Sequence, residues 1–338
     1  MLKQDGRKTY PWIMAAGIVL LVICTCIALG TGQYHVPIKD VISILMGHGS
    51  QLANAEKVIL NLRLPRIFFS MLAGAGLGAS GAAFQSLFAN PLATPDTLGT
   101  ASGASFGAAL GILLGMNSAG IEMLAMLAGI GAVLLVFLVG RSRNNTGSTM
   151  IMVVLAGLVI SSLFNAMVSF VKYIADPNDV LPSITFWLMG SFSGITVRSL
   201  RLLSPILASG TILLFLMRNR LNTLSLPEEE ARSLGINLPL TRGLVILASA
   251  GVTAGIVAGC GLIGWVGLLI PHMCRMLFGN NNARMIPGSI VFGALFMLIT
   301  DTVARTLTAA EIPVSILTSL IGAPLFIFLL KKTGGIAS

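Results

Sequence analysis

Residues 64–88 read LPRIFFSMLAGAGLGASGAAFQSLF, an apolar run whose one charge, Arg66, stands at its start. Within it, Gly76, Gly78 and Gly81 satisfy the glycine spacing of a dinucleotide-binding turn. That turn needs a β-strand in front of it, and here apolar residues continue on both sides without a break. The run is instead long enough to cross a hydrocarbon core as a helix, which takes about 20 apolar residues. Its glycines, with Gly74, form a face of small residues, and similar faces recur at Gly103, Gly107, Gly111 and Gly115 and at Gly251, Gly255 and Gly259. Such faces let helix backbones approach closely in lipid, where no hydrophobic force drives helices together.

The rest of the chain agrees. Of its 338 residues, 55% are hydrophobic and 10% charged, and the mean hydropathy is +0.91, more apolar surface than a soluble globule of this length buries. The net charge of +9 is scattered over short polar segments and forms no basic stripe interleaved with aromatics, which argues against nucleic acid. Cys24, Cys26, Cys260 and Cys274 lack the spacing of a metal knuckle or a disulfide framework and read as small packing residues. Lys3, Arg7 and Lys8 ahead of the run from Trp12 to Leu29 resemble a signal peptide, but no small-residue cleavage site follows, so the run is read as a retained first helix.

Ten apolar runs lie near residues 12–32, 64–88, 97–115, 119–140, 149–171, 199–217, 243–260, 262–278, 287–307 and 313–330. An even number places both termini on one side, and Lys3, Arg7, Lys8, Lys331 and Lys332 assign that side to the cytoplasm. Arg141, Arg143, Arg218, Arg220, Arg232, Arg242, Arg275 and Arg284 then also fall inside. Lys39, Lys57, Arg63, Arg66, Lys172, Arg198, Arg201 and Arg305 fall outside and require a reason. Val36 to Gly47 reads as a half-polar extracytoplasmic helix, and Ser183 to Val197 as a short interfacial helix with Trp187 at headgroup depth. No linker divides the chain, so residues 1–338 form one all-α, polytopic membrane domain.

No phosphate-binding G-x-x-x-x-G-K-[ST] loop occurs, so ATP hydrolysis by that route does not belong to this chain. Nor do the helices carry the buried carboxylate chains of proton- or sodium-coupled carriers. Glu122 and Glu311 read as residues of extracytoplasmic turns, and Asp301 has Arg305 one turn later as its expected partner. An energy source on another subunit is the simpler inference. The longest inner loop, 218–242, contains Ser225, Pro227, Glu228 and Gly235 at the positions of a capping box, a first-turn proline and a helix stop, which predicts a short helix suited to docking. Ser161, Asn165 and Ser169 are spaced by four and share one face of the fifth run, readable either as a weakly polar wall or as hydrogen-bonding glue between helices. His272 follows Pro271 with no second ligand nearby in sequence, and no metal is expected on this chain.

Several stretches together resemble the FecCD-type permease family of ABC importers, which serves uptake of iron siderophores, haem and vitamin B12. They are Arg63-Leu-Pro-Arg66, Gly81-Ala-Ala-Phe-Gln85 running into Asn90-Pro-Leu-Ala93, the Glu228 to Gly235 helix, Gly264-Trp-Val-Gly-Leu-Leu-Ile-Pro-His272, Asp301-Thr-Val-Ala-Arg305, Glu311-Ile-Pro-Val314 and Gly322-Ala-Pro324. The resemblance implies a transport subunit without enzymatic activity, ten helices with an inverted repeat of helices two to five and seven to ten, and pairing with a second copy or a paralogue. It also implies two cytosolic ATPase subunits that bind ATP and Mg, an extracytoplasmic substrate-binding protein, and a place in the cytoplasmic membrane. By the same resemblance, Arg63, Arg66 and Arg305 would receive acidic side chains of the binding protein. Glu228, Glu229, Ala231, Arg232, Leu234 and Gly235 would form the ATPase-coupling helix, and Asn90, Pro91 and Leu92 the inner gate. Thr149 and Met150 stand where the family places a second, often small and polar gate, and the helix with Ser161, Asn165 and Ser169 would line the path. Ferric siderophore leads as cargo by family frequency, followed by haem, cobalamin and molybdate-type oxyanions; a secondary carrier is the rival class.

Overall fold

The computed structural model describes residues 6–48, 52, 54–140, 149–224, 226, 228–308 and 310–332. Among the described residues the protein is helical throughout, with no strand. The helices are α1 (Gly6–Gly30), α2 (Ile38–Leu45), α3 (Ala55–Lys57), α4 (Leu64–Leu87), α5 (Thr100–Leu113), α6 (Ser118–Gly140), α7 (Thr149–Ile174), α8 (Val180–Leu188), α9 (Val197–Leu216), α10 (Arg218–Leu224), α11 (Glu228–Ser233), α12 (Leu238–Cys260), α13 (Val266–Phe278), α14 (Asn282–Ala304) and α15 (Val314–Lys332). Each of the ten apolar runs coincides with a helix. Seven helices are long and apolar enough to cross a bilayer alone, and α5, α13 and α15 are the shorter apolar ones. The end of the bundle that the charge pattern assigns to the outside is termed outer below.

Residues with a local reason set several boundaries. Thr196, Asn237 and Asn281 each accept a backbone N–H at the start of α9, α12 and α14, satisfying donors the helix leaves free. Pro182 falls in the first turn of α8, where a missing N–H costs nothing. The interfacial segment expected over 183–197 therefore begins earlier, at Val180, and ends at Leu188. The chain then turns at Gly190, whose φ of +71° brings it against the Leu262 carbonyl where no side chain fits. The second apolar run is one continuous helical span, Ala55–Leu87, because a π-helical stretch, Val58–Arg63, joins α3 to α4.

The glycine faces do what lipid packing requires of them. α4 is the most buried span and touches α1, α9, α12, α13 and α14. Side chains at Gly74 and Gly78 would overlap the carbonyls of Gly293 and Ser289 on α14, and one at Gly81 would overlap the carbonyl of Gly267 on α13. Pro271, four residues past Gly267, has no N–H to offer that carbonyl, so only a glycine Cα can lie against it. Gly103 and Gly107 seat α5 on Ala128 and Leu124 of α6 in the same way.

The contacts also have the symmetry of an inverted repeat. Taking α4 to α7 and α12 to α15 as the halves, the first helix of each packs on the third of the other, α4 on α14 and α12 on α6. It also packs on the second of the other, α4 on α13 and α12 on α5. In both halves that second helix is short, 14 residues for α5 and 13 for α13. Each follows a stretch without regular α-helix, Phe88 to Gly99 at the inner end and Gly261 to Trp265 at the outer. Paired breaks of this kind mark the translocation site in transporters built from inverted repeats.

Candidate functional site: a path between two polar ends

The outer end is organised by arginines. Arg66 donates Nε and Nη2 to Asp301 Oδ1 at 2.9 and 2.8 Å and Nη1 to both Glu311 oxygens at 2.9 and 2.8 Å. Asp301 is fully buried. Its partner is thus Arg66 and not Arg305, the one expected from helical spacing. Arg305 instead donates Nη1 to Thr31 O at 2.7 Å and Nη2 to Ala28 O, while Arg63 donates to Leu29 O at 2.7 Å, to Gly30 O at 3.2 Å and to Tyr34 O. The Ala28, Leu29 and Gly30 carbonyls belong to the last turn of α1, where a helix leaves acceptors unpaired and its dipole favours cations, and those of Thr31 and Tyr34 follow it. The three arginines, all buried, line one concavity of about 260 Å³ together with Tyr34 and Glu311. Three guanidinium groups face two carboxylates, so the cluster keeps one positive charge, and Arg305 Nε has no partner among the described residues. The sequence reading grouped the arginines; it missed Asp301 and Glu311 as the partners of Arg66.

Glu122 is a second correction. It lies in the second turn of α6, buried, and accepts a 2.6 Å hydrogen bond from Ser199 Oγ of α9. A cavity of about 410 Å³ opens beside it toward Trp187 and Cys260.

At the inner end, α4 stops and the Asn90-Pro91-Leu92 turn follows. Ala89 takes a left-handed φ of 47°, Asn90 N–H bonds Gln85 O at 3.1 Å, and the Asn90 side chain accepts the Leu92 N–H at 2.9 Å. The turn is therefore fixed by its own polar atoms, as non-helical backbone inside a membrane protein requires, and presents Leu92 with 42% of its surface exposed. Beneath it, Arg275 Nη2 donates to Gln85 Oε1 at 2.8 Å and Ser86 Oγ to Asn282 Oδ1 at 2.8 Å. These bonds tie α4 to α13 and α14.

From that turn the chain reaches α7, where the Thr97 carbonyl fills the space at Gly157 and Gly99 lies beside Ser161. α7 buries one face and exposes the other. Ser161 is half-buried, and Asn165 and Ser169 are exposed. The two hydroxyls donate to carbonyls of their own helix, Gly157 and Asn165, so among the described residues these bonds join no helices. Thr149 and Met150 open α7, but their side chains lie outside the described residues.

In the inner loop, Glu228 to Ser233 is helical as expected, preceded by a second short helix, α10. Ser225 and Pro227, and the side chains of Glu228 and Arg232, lie outside the described residues. Glu229 and Leu234 are exposed, whereas Ala231 is 1% exposed and packs into the main core. Gly235 ends the segment at φ +73°. His272 stacks edge-on to Phe326 at 5.5 Å, and no cluster of three metal-ligating side chains occurs among the described residues.

Comparison with known proteins adds four findings. The FecCD transport family matches residues 20–332. The molybdate import system permease protein of Haemophilus influenzae is 43% identical, covering 96% of this chain and 98% of its own. A probable iron chelatin transport system permease protein of Helicobacter pylori is 37% identical over 86% and 87%. A solved metal-chelate type ABC transporter in an inward-facing conformation is 41% identical, covers 95% of this chain and 99% of its own, and superposes with a TM-score of 0.87.

Proposed function

Since the chain belongs to the FecCD transport family and is a multi-pass permease subunit of the ABC importer type, we propose that it translocates a small metal-bearing species, a molybdate-type oxyanion before an iron chelate. The observation that carries this order is the 43% identity, end to end, with the Haemophilus molybdate permease. The sequence alone placed ferric siderophore first, and the Helicobacter relative keeps an iron chelate as the second reading. The exposed wall of α7 suits either cargo. Asn165 and Ser169 offer weak polarity without charge, and a path that must also release its load cannot bind it tightly.

The machine around this subunit contains a second copy or a paralogue, two ATPase subunits carrying ATP and Mg, and an external binding protein. Both termini lie in the cytoplasm. The binding protein docks at the concavity of Arg63, Arg66 and Arg305, the ATPase takes α11 with Glu229, Leu234 and Gly235, and the Asn90-Pro91-Leu92 turn closes the inner mouth. Any metal travels as cargo and needs no ligand from this chain. The test is uptake in proteoliposomes holding the permease with its ATPase and binding protein, offered labelled molybdate or labelled ferric siderophore. ATP-dependent accumulation of molybdate alone is expected. Accumulation of the iron chelate alone reverses the order, and ATP-independent, ion-gradient-driven uptake overturns the importer reading in favour of a secondary carrier.

A further inference from the structure

Arg198 and Arg201 are among the outer cations that remain unexplained once Arg63, Arg66 and Arg305 are placed. They occupy the first two turns of α9, are exposed, and have no hydrogen bond or ion pair among the described residues. The nearby Glu122 acts on Arg198 electrostatically, but its carboxylate is buried and held by Ser199. With Ala119, Met123 and Leu202 the two arginines line a concavity of about 330 Å³.

The helices that form that concavity, α6 and α9, both pack on α12 and are joined at this end by the Glu122–Ser199 hydrogen bond. Its lining is apolar apart from the arginines, and one turn below Met123 the exposed Leu127 continues the apolar surface of α6 toward the membrane interior. α9 has 20 residues, about 30 Å of helix, the thickness of a hydrocarbon core, so its first turn lies at headgroup depth.

We propose that the outer ends of α6 and α9 bind an anionic phospholipid, its phosphate held between Arg198 and Arg201 and an acyl chain lying over Met123 and Leu127 below. The guanidinium fork matches a phosphate in two-pronged geometry, and the apolar surface of Ala119, Met123, Leu202 and Leu127 beside it distinguishes a lipid from an acidic protein, which would offer nothing to cover it. The site also accounts for positive charge on a side where sequence rules disfavour it. It is independent of which cargo is carried.

Purified permease, delipidated in neutral detergent, would be titrated with phosphatidylglycerol, phosphatidylcholine or inorganic phosphate and followed by native mass spectrometry and melting temperature. One phosphatidylglycerol per chain should be retained in preference to phosphatidylcholine. The variant R198Q/R201Q should melt normally without lipid yet hold phosphatidylglycerol about 10- to 30-fold more weakly. R198K/R201K should fall between, keeping the charge and losing the fork. Lys39→Gln, which removes an exposed charge at the same end outside the concavity, should behave as wild type. Equal retention by R198Q/R201Q and wild type overturns the proposal, as does stabilisation by inorganic phosphate without lipid retention. Loss of binding-protein docking with lipid retention unchanged also overturns it, and assigns the arginines to a protein partner.

Discussion

Arg66 and Asp301 stand 235 positions apart in the chain, yet two nitrogens of one guanidinium bond the same buried oxygen, Asp301 Oδ1, at 2.9 and 2.8 Å. The pair joins the start of α4 to the end of α14, the two helices that pack through Gly74 and Gly293. Removing one member of a buried pair strands the other's charge, at a cost of about 3–5 kcal/mol. Asp301→Asn should therefore lower the melting temperature in detergent markedly. Glu311→Gln should cost far less, because Glu311 is partly exposed and screened by water. Arg66→Lys should resemble the Asp301 variant, since an ammonium cannot serve two carboxylates as a planar fork does.

Gly81 has no room for a methyl group, because the obstacle is the Gly267 backbone carbonyl and not a side chain that can swing aside. Gly81→Ala should force α4 from α13 and cost about 1–3 kcal/mol or more, read as lost monodisperse protein after extraction. Gly131→Ala on α6 meets nothing within 4 Å and should be neutral. If both variants extract equally well, the close helix approach is wrong.

How much of this was legible in the sequence follows from the range of each interaction. The ten apolar runs leave local periodic signals and appear as helices, and most of the glycine-face positions appear as close contacts, the exceptions being Gly115, with nothing within 4 Å, and Gly251, which meets only the edge of Ile206. Arg66 with Asp301 and Glu311 leaves none: the local rule offered Arg305 four residues on, and a tertiary partner 235 residues away won. Glu122 reads as a turn residue although the run 119–140 contains it, whereas it lies within α6 and Ser199 of α9, 77 positions away, satisfies it. Ala231 looked like a surface position of a docking helix, and nothing in its neighbours tells that this face of α11 is buried against the permease itself.

That burial selects the test of coupling. A charge at Ala231 would disturb this chain's own core, so Leu234, 61% exposed, is the informative position. Leu234→Glu should give normally folded permease whose partner ATPase hydrolyses ATP without driving uptake. Wild-type uptake would remove α11 from the coupling surface.

The inner turn invites a crosslink. Leu92 is exposed on a turn braced by Asn90 and Gln85, so a cysteine there should leave the turn intact while facing a second copy. Leu92→Cys should form a disulfide between copies with the mouth closed and lose it in the nucleotide state that opens it. Equal crosslinking in every state, or none, would take the gate away from this turn.

The docking assignment is tested best at Glu311. Charge reversal at Arg66 would strand Asp301 and unfold what it is meant to probe. Glu311 is accessible, holds only Arg66 Nη1, and occupies the place an incoming carboxylate from a binding protein would take. Neutralising it raises the cluster from one net positive charge to two without touching the buried pair. Glu311→Gln permease in nanodiscs should bind the substrate-binding protein more tightly, by about 0.2–1 kcal/mol, roughly 1.4- to 5-fold, and mainly through a faster on-rate. The gain should shrink between low and physiological salt as exposed charges are screened. Unchanged affinity at both salt concentrations would confine the three arginines to capping α1 and holding α4 to α14.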